Sequence, residues 1–166
     1  MTFWKLIRSL KFTQLKSIGN LFYKRPLIVL TTIRATFISY KTTEKRYPKT
    51  HHLTGKANAF RHALWNMLIC NECVKWKNDI DKAVTWAKIT TDWHEEFSPN
   101  KALAKAMDLH NNNVGRCLFL DLYDGRNILK TNYLINYLTE KLQASVKVKS
   151  EDDIKNNPEL LVYITD

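Results

Sequence analysis

Residues 55–77 read as a helix that is apolar on nearly every side, and such a helix has to lie in the middle of the fold it belongs to. Phe60, Ala63, Leu64, Met67 and Cys70 recur at helical spacing on one face. The other face carries Asn58, His62 and Asn66 in an i, i+4, i+8 line, flanked by Trp65 and Ile69. With both faces covered, those polar groups need partners from neighbouring elements, because a buried group left unsatisfied costs about 1–3 kcal/mol.

The neighbours are helical by the same pattern. Residues 79–97 put Ile80, Ala83, Ala87, Thr90 and Thr91 on one stripe with His94 in its middle, Glu95 at its edge and Glu96 facing water. Ser98-Pro99-Asn100 breaks the chain, with Ser98 or Asn100 as the cap of a helix over 101–122. That helix turns Leu103, Met107, Val114 and Leu118 inward. Asn111 falls inside this stripe, Asp108 and Gly115 lie on one flank, and His110 lies on the other. Three consecutive asparagines at 111–113 defy helix preference, and such violations concentrate where function demands them. After the Asp124-Gly125 turn, residues 126–143 form an amphipathic helix offering Ile128, Leu134, Ile135, Leu138 and Leu142 to the core. Ser150-x-x-Asp153 opens another helix, and the state of the final apolar piece, LLVYI, is left open.

Ahead of this body, residues 3–23 read as an amphipathic helix with Phe3, Trp4, Ile7 and Leu10 opposite Lys5, Arg8 and Lys16. Pro26 ends it and starts a second helix over 26–43, whose β-branched content also suits a strand. The net charge of +10 comes from this region: residues 1–50 hold eleven Lys/Arg against the single acid Glu44. A basic arm on a neutral body points to an anionic membrane surface or nucleic acid as partner through residues 1–50, and the absence of a base-stacking motif favours the membrane. Cys70, Cys73 and Cys117 are too few for a disulfide framework and read as core thiols of a reducing compartment. With no signal peptide or membrane-spanning run recognised, the expected location is cytoplasmic or peripheral to a membrane.

Three helices thus turn unusual polar residues inward: His62, His94 with Glu95, and Asp108 with Asn111. Converging, they would form a catalytic site, with His62, His94 and Asp108 as ligands for a divalent metal such as zinc that activates water. The same groups without a metal could work as an acid/base pair. The spacing lacks an H-E-x-x-H motif, since Ser98 stands four residues after His94.

The strings N-A-F-R-H-A-L-W-N (58–66), H-E (94–95) and M-D-L-H-N-N-N-V-G (107–115) together resemble a bacterial family of unknown function, found stand-alone and at the C-termini of RHS and wall-associated polymorphic toxins. The resemblance covers about residues 50–120. It implies matching positions at Arg61, His62, Trp65, His94, Glu95, Asp108, Asn111, Asn112 and Gly115, and an activity that damages a cell. Asn58, Arg61, Trp65, Asn112 and Arg116 are then the candidate substrate contacts, the two arginines for an anionic group.

The expected architecture is all-α: a basic helical arm over 1–47 and a single compact helical bundle over 48–166. The expected function is a hydrolase-like domain acting through His62, His94, Glu95, Asp108 and Asn111. The alternative is a non-catalytic helical protein that binds an anionic surface through its arm, with the polar network fixing helix packing alone.

Overall fold

In the computed structural model, residues 26–48, 50, 53–77, 79–98 and 100–165 are described; the helix expected over 3–23, together with His51 and His52, lies outside them. Among the described residues the chain is all-α apart from one short strand pair: α1 (Pro26–Arg46), α2 (Lys56–Lys77), α3 (Ile80–Phe97), α4 (Ala102–Leu122), α5 (Thr131–Gln143), β1 (Val146–Lys147), α6 (Glu151–Lys155) and β2 (Val162–Tyr163). As its apolar character requires, α2 is central and packs against α1, α3, α4 and α5. Phe60, Ala63, Leu64, Met67 and Cys70 are fully buried. Burying a side chain the size of Phe60 or Leu64 contributes about 1.5–3 kcal/mol.

The described half of the basic arm belongs to this core. Segment α1 is a helix despite its β-branched residues, and it buries Ile28, Thr31, Thr32, Ala35, Ser39 and Thr43. Its threonines hydrogen-bond back along their own helix, Thr32 to Ile28 O at 2.9 Å and Thr43 to Ser39 O at 2.8 Å. Hydroxyls satisfied in this way can lie on a buried face. Two indoles complete the contact, Trp65 Nε1 donating to Thr36 Oγ1 and Trp86 Nε1 to Thr32 Oγ1, both at 2.8 Å.

Elsewhere the boundaries shift for identifiable reasons. The Asp124 carboxylate accepts from the backbone N–H groups of Arg126 and Asn127, and this turn delays α5 to Thr131. Ile128 is consequently 41% exposed instead of reaching the core, whereas Leu134, Ile135, Leu138 and Leu142 are buried. The LLVYI piece ends as β2, parallel to β1 with Val146 opposite Val162. Ser150 and Asp153 form a capping box on α6. Cys70 and Cys73 are buried free thiols, but Cys117 is exposed and not a core residue. None of the described helices is long and apolar enough to cross a membrane.

Candidate functional site

His62 stands in the N-terminal half of α2, where α4 passes close at Gly115, which faces the backbone of Ala63. That proximity brings the polar face of α4 against the Asn58–His62–Asn66 line. Asn112 Oδ1 lies 3.2 Å from His62 Nδ1 and accepts from Asn66 Nδ2 at 2.8 Å. Asp108, one turn earlier, places Oδ1 3.4 Å from His62 Nε2. From α3, Glu95 Oε1 lies 3.4 Å from His62 Nδ1 and 3.5 Å from Asn112 Nδ2. His62, Glu95 and Asp108 are all nearly inaccessible to solvent.

Arg61 NH2 approaches His62 Nε2 at 2.6 Å. A guanidinium has no acceptor, so Nε2 is the accepting nitrogen and the ring proton resides on Nδ1, facing Asn112 and Glu95. Burial holds the imidazole pKa well below its ordinary value, and the Arg61 guanidinium and His94 add to this. The ring is therefore neutral. Burial also pushes the Glu95 carboxyl up to about 7, with the Asp108 charge adding to it, and the Asp108 carboxyl up to about 6. Arg61 opposes both shifts, and its own pKa is lowered by burial. Asp108 Oδ2 is held by Asn100 Nδ2 at 2.9 Å, while Asp108 Oδ1 and Glu95 Oε2 have no hydrogen-bond partner among the described residues.

The other expected site residues divide. The buried line of α3 follows Ala87, Thr91 and Glu95, so Glu95 points inward where the helical projection put it at the edge. Thr91 on the same line bonds Asn66 Oδ1 across to α2 and Ala87 O within its own helix. His94 is moved to the flank, partly exposed, with its ring edge-on to Trp65 at 5.2 Å and its pKa lowered by burial to about 4. It is not among the clustered ligand atoms. Asn111 faces away from the site: Nδ2 donates to Val162 O and Oδ1 accepts from Val162 N, both at 2.9 Å, so its amide clamps β2. Asn71 holds Leu129 in the same manner. His110 meets Leu160 O at 2.8 Å.

Of the expected substrate contacts, Arg61 and Asn112 touch His62. Trp65 is engaged by Thr36 and His94, and Asn58 donates to Leu53 O at 2.6 Å. Arg116 is buried and donates to Asn66 Oδ1, Thr91 Oγ1 and Asn113 Oδ1, so its guanidinium props the network from within. Asn100 is no helix cap, since Lys101 takes that position without a side-chain bond. Asn66 and Asn100 are hydrogen-bond partners of the cluster that the expected site lacked. Asn66 already stood in the polar line of α2, whereas nothing in the sequence ties Asn100 to Asp108.

One ligand atom from each of His62, Glu95 and Asp108 lies within 4.8 Å of the other two. A neutral imidazole and two carboxylates with a free oxygen each are a donor set suited to a divalent ion of the zinc or manganese kind. The observed set replaces His94 with Glu95.

A family model described as "Domain of unknown function (DUF6973)" matches residues 19–146, a range that contains the whole cluster. No curated protein and no solved structure matches the chain.

Proposed function

Since the chain belongs to the DUF6973 family of domains of unknown function, we propose its activity from the site alone: a divalent-metal-dependent hydrolase domain centred on His62, Glu95 and Asp108. The observation that carries this reading is the meeting, in one buried cluster, of a neutral imidazole and two carboxylates that each keep an unbonded oxygen. Each such oxygen would cost about 1–3 kcal/mol unless an ion or proton met it. An ion held there would supply Lewis acidity and lower the pKa of a water. Asn112 fixes the His62 ring, and Asn100 fixes Asp108. With one oxygen on the ion, Glu95 would keep Oε2 to take up and return the proton that hydrolysis moves.

The test is metal-reconstituted protein offered carboxylic esters, amides, phosphomonoesters and phosphodiesters, beside Asp108→Asn. Metal-stimulated turnover of one class, lost about 100-fold or more in the variant, is the expected result for an electrostatic centre of this kind. Turnover that is the same in Asp108→Asn would overturn the reading. A cell-damaging role, as toxin resemblance implies, predicts that expression of the wild-type chain arrests bacterial growth and that Asp108→Asn does not.

A second reading is favoured by the outer face of α1. Leu30, Ile33 and Phe37 are 52%, 42% and 63% exposed on the side away from the core, beside Arg34 and Lys41. Apolar groups edged by cations suit the interface of an anionic membrane. Cosedimentation with phosphatidylserine vesicles, weakened by salt and by Phe37→Ser, supports it; equal binding to neutral vesicles or to nucleic acid alone removes it.

A further inference from the structure

The guanidinium of Arg61 stands where an incoming ion must bind. Adjacent residues in a helix ordinarily point in different directions, yet the guanidinium of Arg61 meets the adjoining imidazole. There it donates to His62 Nε2 at 2.6 Å and lies in the field of both Asp108 and Glu95. Two acceptors, the Nε2 lone pair and Asp108 Oδ1, otherwise face each other across 3.4 Å with nothing to reconcile them. A cation is what that gap requires, and in this state Arg61 supplies it.

We infer that Arg61 is the counter-cation of the metal-free site, that a divalent ion enters by displacing its guanidinium from His62, and that the displaced guanidinium then binds an oxyanionic group of the substrate. This rests on the metal reading above. His62 can offer only one nitrogen, because Nδ1 carries the ring proton and faces Asn112 Oδ1. A zinc–imidazole bond of about 2.1 Å and an N–H bond to the same lone pair exclude each other. The positive charge of Arg61 beside a divalent ion adds to the reason to leave. Unlike its three neighbours, Arg61 is partly exposed as a residue, although its charged end is desolvated by burial. A planar five-donor fork at the edge of a metal site matches phosphate or carboxylate oxygens.

The experiment is a calorimetric titration of zinc into metal-free wild-type protein, Arg61→Gln and Asp108→Asn. Exchange predicts that Arg61→Gln binds zinc more tightly than wild type by about tenfold, the scale of a charge-assisted hydrogen bond. Wild-type binding that is matched or exceeded by no more than error in Arg61→Gln overturns the inference and leaves the metal reading standing. No zinc uptake by wild type or Arg61→Gln overturns both. Should Arg61→Gln fail to fold, nitrogen-15 spectra of the wild type decide. Zinc must move the His62 Nε2 resonance and release the Arg61 guanidinium signal; an Arg61 signal unchanged at saturation overturns the exchange. Inorganic phosphate must then bind zinc-loaded wild type more tightly than zinc-loaded Arg61→Gln, and equal affinity overturns the substrate role.

Discussion

A Cβ placed on Gly115 would stand 2.4 Å from the carbonyl oxygen of Ala63 and 2.6 Å from its Cα. No side chain fits between α4 and α2 at that point, and the obstacle is backbone, which cannot rotate aside. The approach is what lets Asn112 and Asp108, one and two turns earlier on α4, reach the ring of His62 on α2.

Gly115→Ala is therefore expected to destabilise the fold by at least the ~1–3 kcal/mol usual for overpacking, because two helices must part. Urea unfolding measures the loss. A variant as stable as wild type would contradict the close approach.

Asn111→Ala removes both hydrogen bonds to Val162 and leaves a buried N–H and C=O unpaired. The expected cost is about 2–4 kcal/mol, from two groups at roughly 1–2 each, with metal binding at His62 retained. Hydrogen exchange should find β2 deprotected. Loss of metal binding in a variant that is still folded would restore Asn111 to the site.

How far the site could be read from the chain follows from the range of each relationship. The central place of α2 and its Asn58–His62–Asn66 face follow from periodicity, as does the shared flank of Asp108 and Gly115 on α4. Glu95 is buried on the line of Ala87 and Thr91, and that line meets α2 at Asn66, a contact between helices that the projection of a single helix does not contain. Asn111 broke helix preference for a structural reason, a clamp on a strand about fifty residues away in sequence. The β1–β2 pair, two residues on each side, is too short for any periodicity to show. Arg61 on His62 was equally hidden, since adjacent helical residues ordinarily diverge.

His94→Gln should leave metal stoichiometry unchanged, because His94 lies edge-on to Trp65 and is outside the clustered ligand atoms. Metal analysis of the purified variant checks this. A halved or absent metal content would return His94 to the ligand set.

The raised carboxyls give the metal-free protein a particular pH response. Glu95 at about 7 and Asp108 at about 6 stay protonated in the fold where the unfolded chain has already ionised. Their stabilising effect is present in full below the unfolded values near 4 and is lost as pH rises toward about 7. His94, lowered to about 4, and the lowered His62 act in the opposite direction up to about pH 6.5. Melting temperatures of metal-free Glu95→Gln should therefore rise relative to wild type between about pH 5 and pH 8, since only the Glu95 contribution is removed. A difference that stays constant with pH would contradict the shift.

The most direct measurement is anomalous diffraction from a crystal soaked in zinc. One peak is expected about 2.0–2.2 Å from His62 Nε2 and from a carboxylate oxygen of each of Glu95 and Asp108, with Arg61 withdrawn from the ring. A zinc-soaked crystal with no density there, and Arg61 still bonded to His62, would contradict it.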